Sequence, residues 1–175
     1  MTTDKFPKRK HPRLKHFDYS QNGCYHIVIC TKEKECLLGK VIFNQQADDV
    51  VKIHLSPYGI VADNYLQKIG SFYEYIKVDK YVVMPNHIHL LLTIEQPFEK
   101  AIAKTNVQAS VFTVIKAFKR MVTKDIGRSI WQESFYDNII ETAEAYYNAC
   151  EYIENNPVNW IADKYYSKQE ADQVK

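Results

Sequence analysis

The chain has 175 residues, 46% hydrophobic and 25% charged, with a formal net charge of +2. That length suits one domain with a full core and is short for two, and the composition is globular, which argues against a disordered or fibrous chain. No apolar run reaches the ~18 residues of a membrane-spanning helix, and no apolar segment follows the basic N-terminal stretch, so neither a transmembrane helix nor a secretory signal is expected. Cys24, Cys30, Cys36 and Cys150 show no C-x-x-C pairing, so they read as free thiols of a cytoplasmic protein, not as disulfides or a zinc cluster. The charge is unevenly spread: residues 1–16 and 104–128 each carry +5, and residues 133–175 carry −6. A basic arm and a basic helix on a near-neutral protein suggest a polyanionic partner.

In chain order, residues 1–20 read as an irregular basic arm containing Arg9, Lys10 and Arg13. Gly23 to Thr31 is predicted as a strand from its β-branched and aromatic content, with Lys40 to Phe43 a short partner. Residues 46–69 read as a helix interrupted near Pro57 and Gly59. Phe72 to Met84 and His87 to Ile94 read as strands joined by a tight Pro85-Asn86 turn, hence as an antiparallel hairpin. Residues 95–108 form a polar connection. Ser110 to Asp125 is a helix with Val111, Val114, Ile115, Phe118 and Val122 on one face, Ser110 as N-cap and Gly127 as stop. Its outward Lys116, Lys119, Arg120 and Lys124 are candidate phosphate contacts. Ile130 to Ile140 reads as extended, with Trp131, Phe135 and Tyr136 as packing residues. Thr142 to Asn156 is the last helix, ended by Pro157. The order β-β-α-β-β-α-β-α points to one α+β domain over residues 21–160, an antiparallel sheet with helices packed on one face, and a tail at 161–175.

The segment Tyr81-Val82-Val83-Met84-Pro85-Asn86-His87-Ile88-His89 carries the chemistry. Residues i and i+2 of a strand share a face, so His87 and His89 present two imidazoles side by side, half of a metal site. His26 and His54 read as structural. On the last helix Tyr152 and Asn156 are four apart and share a face, and Ala145 and Ala149 let that face approach the sheet. Placed over the histidines, they add a phenol and an amide oxygen. A nitrogen and oxygen donor set without thiolate suits Mg²⁺ or Mn²⁺. Tyr146 and Tyr147 are alternative phenols, and Asn156 reads equally as a helix cap.

Four segments in this order, YVVMPNHIHLLL, SVFTVIKAFKRMVTK, IWQESFYDNII and YIENNP, resemble the HUH-type single-tyrosine transposases, most closely the REP-associated tyrosine transposases. The resemblance covers roughly residues 20–160. It implies a ferredoxin-like antiparallel sheet and metal-dependent cleavage and rejoining of single-stranded DNA, often at hairpin-flanked sites. It assigns the nucleophile to Tyr152, which would form a 5′-phosphotyrosine and leave a 3′-hydroxyl, and the metal to His87, His89 and Asn156. Other single-tyrosine relatives carry Gln at the last position. The resemblance also allows a homodimer and implies a bacterial, nucleoid-associated setting. The rival readings are a relaxase or replication initiator of the same superfamily, a non-catalytic module that binds single-stranded nucleic acid, and a plain metal-dependent hydrolase that cuts without a covalent adduct.

Overall fold

A computed structural model describes residues 18–43, 51–96 and 110–166. The elements follow in the order β1 (Gly23–Cys30), β2 (Gly39–Phe43), β3 (Val51–Leu55), α1 (Pro57–Phe72), β4 (Ile76–Val83), β5 (His87–Ile94), α2 (Val111–Ile126), β6 (Tyr136–Ile140) and α3 (Ala143–Asn155). β4, β5, β1 and β6 form one antiparallel sheet in that spatial order, and β2 and β3 pair as a separate two-stranded ribbon. The α+β class and the ferredoxin-like antiparallel sheet are as expected.

β5 is central and covered on both faces, which is why its sequence is an almost unbroken apolar run. Ile88, Leu90, Leu92 and Ile94 point to one face and pack with Ala62, Leu66 and Ile69 of α1 and with Val114, Ile115, Phe118 and Val122 of α2. The expectation of helices on one face holds for α1 and α2. α3 lies across the other face, where Ala149 and Ile153 pack on Leu91. Ala149 is the small residue that permits this approach. α2 begins and ends where its sequence says: Ser110 Oγ accepts from the Thr113 N–H, and Gly127 adopts φ 79°, a left-handed C-terminal cap natural to glycine.

Three boundaries differ from expectation. The single helix over 46–69 is instead β3 followed by α1; residues 44–50 lie outside the described residues. Val51-Lys52-Ile53-His54-Leu55 alternates with period 2 and pairs along β2. Pro57 disfavours helical backbone at Ser56, which is extended at ψ 170°, and fits the first turn of α1, where no N–H is needed. Ser56 Oγ accepts from the Gly59 N–H and starts the helix there. β4 begins at Ile76, not Phe72, because α1 runs through to Phe72. The extended stretch 130–140 forms regular strand only from Tyr136; before it, Trp131 makes an isolated bridge to Thr31.

Candidate active site

His87 and His89 project from the β5 face opposite to α1 and α2, as the alternation predicts, and are 0% and 1% exposed. Their cross-strand partners on β1 are Cys30 and Val28. Each ring is oriented through Nδ1. His87 Nδ1 lies 2.8 Å from Asn86 Oδ1, an acceptor, so Nδ1 carries the proton and Nε2 the lone pair. Asn86 is itself fixed, its amide donating to the carbonyls of Lys34 and Tyr165. His89 Nδ1 lies 3.0 Å from His26 Nε2, reaching diagonally across to β1. His26, expected to be only structural, therefore orients a site imidazole, an arrangement typical of the groups behind metal-binding histidines.

α3 brings Tyr152 and Asn156 to the same place. The Tyr152 ring centroid is 5.1 Å from that of His89 and 6.0 Å from that of His26, and the residue is 41% exposed. Tyr147 is 70% exposed, and Tyr146 packs with the Ala149 and Ile153 cluster, so of the three candidate phenols Tyr152 meets the histidines. Asn156 holds the C-cap position but is 2% exposed, and its amide nitrogen donates to Asp163 Oδ2 at 3.2 Å, so the side chain turns to the site and not back along its helix. His87 Nε2, His89 Nε2 and Asn156 Oδ1 are buried without a hydrogen-bond partner of good geometry. Buried acceptors are ordinarily satisfied; three orphans in one place fit a cation. Ligand atoms of His87, His89 and Asp163 lie within 4.8 Å of one another, a possible metal site.

Burial dominates the electrostatics. It lowers the imidazole of His26 to about 4, that of His87 to about 3 and that of His89 to about 2, with the Lys164 ammonium contributing at each. All three rings are neutral at pH 7, as metal ligation requires. Burial, with the Asp163 carboxylate, raises the Tyr152 phenol above its ordinary value, and Asn156 opposes this. Tyr152 stays protonated until something nearby favours the phenolate.

A cavity of 760 Å³ opens beside these groups, lined by His26, His89, Tyr136, Tyr152, Lys34 and Lys164 among others. The two lysines flank the buried Tyr165 ring, with Nζ 5.3 and 5.0 Å from its centroid. Sequence reasoning missed both, because neither lies in a basic run. It also missed Asp163 and Tyr165, in a segment expected to be tail; Tyr165 packs 4.6 Å from the His87 ring. The expected phosphate contacts lie elsewhere. α2 packs on the reverse face, so Lys116, Arg120 and Lys124 are exposed but not brought together with the histidines. Lys119 is already engaged within the chain: its ammonium donates to the carbonyls of Gln132 and Ser134 at 2.9 and 2.8 Å and is lowered by burial to about 8. It holds the loop before β6. Arg9, Lys10 and Arg13 lie outside the described residues.

The family described as IS200-like transposase matches residues 19–156, most of the chain. This protein belongs to that family. Membership makes it a transposase-type, DNA-processing protein, and the matched stretch contains the histidine pair, Tyr152 and Asn156. An uncharacterized protein of Haemophilus influenzae is 32% identical over 174 residues, covering 90% of this chain and 93% of the relative. A solved REP-associated tyrosine transposase bound to a REP hairpin shares the fold, with a TM-score of 0.58 at 16% identity over 93% of this chain and 86% of that one. No helix among the described residues is long and apolar enough to cross a membrane.

Proposed function

We propose that this transposase cleaves and rejoins single-stranded DNA through Tyr152, with Mg²⁺ or Mn²⁺ held by His87, His89 and Asn156. The observation that carries the reading is the set of three buried, unpartnered acceptors, His87 Nε2, His89 Nε2 and Asn156 Oδ1, beside a half-exposed phenol. A bound divalent cation supplies Lewis-acid polarisation of a phosphoryl oxygen. Asn86 and His26 hold the imidazoles with their lone pairs inward. Tyr152 attacks the scissile phosphorus. Its oxygen–phosphorus bond forms as the bond to the 3′-oxygen breaks, the phenol proton passes to solvent, and the departing oxygen takes up a proton to become a 3′-hydroxyl. The 5′-phosphotyrosine conserves the bond energy, so a second 3′-hydroxyl can reverse the step on another strand. Lys34 and Lys164 supply positive charge where the strand enters the cavity. The substrate is hairpin-flanked single-stranded DNA, in keeping with the hairpin bound by the structural relative.

The test is adduct formation. The protein is incubated with single-stranded hairpin DNA and Mn²⁺ and resolved on a denaturing gel. A covalent protein–DNA species should form with the wild type and with Tyr146→Phe, Tyr147→Phe and Tyr165→Phe, and vanish in Tyr152→Phe. Cleavage that persists in Tyr152→Phe would remove the nucleophile assignment, and binding without any adduct would favour a non-catalytic module.

A further inference from the structure

We infer that Asp163, on the segment after α3, supplies a fourth and anionic ligand to the divalent cation, completing a His87–His89–Asn156–Asp163 set. The inference rests on the metal-binding part of the proposed function. It concerns a residue beyond the family-matched stretch, which ends at Asn156.

The first argument is charge. Two neutral imidazoles and a neutral amide bring no negative charge to a 2+ ion, and a buried cation without an anion is costly. Asp163 is the carboxylate whose oxygen falls within the same 4.8 Å group as the imidazole nitrogens. Hard cations such as Mg²⁺ prefer oxygen ligands at ~2.1 Å, which puts opposite ligands ~4.2 Å apart. Adjacent ligands of the same shell lie ~3.0 Å apart, so the His87, His89 and Asp163 side chains would draw together on binding.

The second argument is how the chain delivers the carboxylate. Pro157 stops α3, and a short 3₁₀ turn at Trp160–Ala162 reverses the chain. The turn is anchored by Trp160, 1% exposed, whose ring lies 5.9 Å from that of His87. The Asp163 N–H donates to the Trp160 carbonyl at 3.1 Å, and Asp163 Oδ1 accepts from the Tyr165 N–H at 2.6 Å. Tyr165 then covers His87. Asp163 is thus fixed at both its backbone and its side chain, and with the Tyr152 phenol also hydrogen-bonded to it the carboxylate keeps about one of its four acceptor sites for an ion.

The third argument concerns Asn156. Asp163 Oδ2 accepts from the Asn156 amide nitrogen. An amide held by its nitrogen must present its oxygen the other way, and Asn156 Oδ1 is one of the three orphaned acceptors. The same carboxylate therefore aims the weakest donor of the set.

The test is Mn²⁺ binding by the full chain without DNA, measured by calorimetry or from the electron paramagnetic resonance signal of free Mn²⁺. Asp163→Asn should weaken Mn²⁺ about 10- to 100-fold, Asp163→Glu should bind within ~10-fold of wild type, and His87→Ala sets the level of site loss. Circular dichroism without metal checks that each variant is folded. On the wild type, Mg²⁺ should shift the Asp163 carboxylate ¹³C resonance, which needs no variant. Wild-type Mn²⁺ affinity in Asp163→Asn, an unmoved carboxylate signal under saturating Mg²⁺, or no Mn²⁺ binding by the wild type overturns the inference. A Tyr152 adduct combined with normal Mn²⁺ binding by Asp163→Asn sinks this inference alone. Mn²⁺ bound through Asp163 without any adduct sinks the cleavage reading alone.

Discussion

His26 is the sharpest place to test the architecture of the site, because its ring nitrogen meets His89 Nδ1 and so sets the state of that imidazole. For His89 Nε2 to offer a lone pair, Nδ1 must carry the proton. Among the described residues Nδ1 meets His26 Nε2, at 3.0 Å between rings whose centroids are 5.1 Å apart. His26 accepts that proton's hydrogen bond because burial keeps it neutral, at about 4. In His26→Ala the His89 Nδ1–H loses its acceptor in a buried place, and the tautomer with the proton on Nε2, which cannot offer that nitrogen to a metal, becomes competitive. Removing such a partner behind a metal-binding histidine typically costs 10- to 100-fold in affinity, or about 1.4–2.7 kcal/mol. The assay is a Mn²⁺ titration scored both by direct binding and by the rate of adduct formation. The half-saturating Mn²⁺ concentration should rise about 10- to 100-fold, with the rate at saturating Mn²⁺ largely preserved. His26→Gln, whose side-chain oxygen can accept the same bond, should recover most of the loss. An unchanged Mn²⁺ dependence in His26→Ala would refute the reasoning, and so would a rate that stays lost at saturating metal.

Two other outcomes follow from the charge and burial of the site. If Lys34 and Lys164 face the strand, Lys34→Gln and Lys164→Gln together should flatten the plot of log affinity for single-stranded DNA against log salt by about 1.4, at ~0.7 per phosphate contact; Lys116→Gln with Lys124→Gln should leave it nearly unchanged, and the opposite pattern would move the strand to α2. Stability should fall with acid, because His26, His87 and His89 all bind protons less readily folded than unfolded. That contribution is complete above about 6.5, the unfolded value, and is lost as pH falls towards the folded values, at up to about 1.4 kcal/mol per pH unit for each group. Urea unfolding at pH 7.5 and 5.5 should therefore differ by more than 1 kcal/mol, and equal midpoints would show that the rings are not buried neutral.

Much of this was legible in the sequence where one residue period decides the matter. The alternation through His87, Ile88 and His89 separates site from core, and the 3–4 spacing of Val111, Val114, Ile115, Phe118 and Val122 marks α2 with both its caps. The four-residue spacing of Tyr152 and Asn156 on α3 likewise foretold that they would arrive together. What stayed hidden depends on tertiary neighbours. Nothing local distinguishes His26 from a core histidine; its role comes from the register that pairs His26 with Leu91 and Val28 with His89. Asp163, Tyr165 and Lys164 sit in a polar stretch with no periodicity, and tertiary contacts fold them back: the buried Trp160 and the hydrogen bonds from Asn86 and Asn156. The basic face of α2 was ambiguous for the complementary reason. Charge density along a helix does not reveal which side of the sheet the helix covers, and Lys119 shows that a lysine in such a run can be spent on backbone carbonyls.

The buried acceptors also bear on why this arrangement persists. A buried polar atom left without a partner costs about 1–3 kcal/mol, and His87 Nε2, His89 Nε2 and Asn156 Oδ1 are three such atoms. Against a net stability of ~5–15 kcal/mol for a domain, that is a heavy burden for a fold selected for stability alone. β5 makes the burden tolerable by dividing the labour between its faces. Ile88, Leu90, Leu92 and Ile94 join a core filled from α1 and α2, while the opposite side chains of the same strand are free to be polar. Apolar packing is concentrated on one face and the unpartnered polar atoms lie on the other. On the proposed reading, a divalent cation held there would give all three orphaned atoms a partner and return the free energy that the metal-free site withholds, so that metal binding and folding would be coupled through the same three lone pairs.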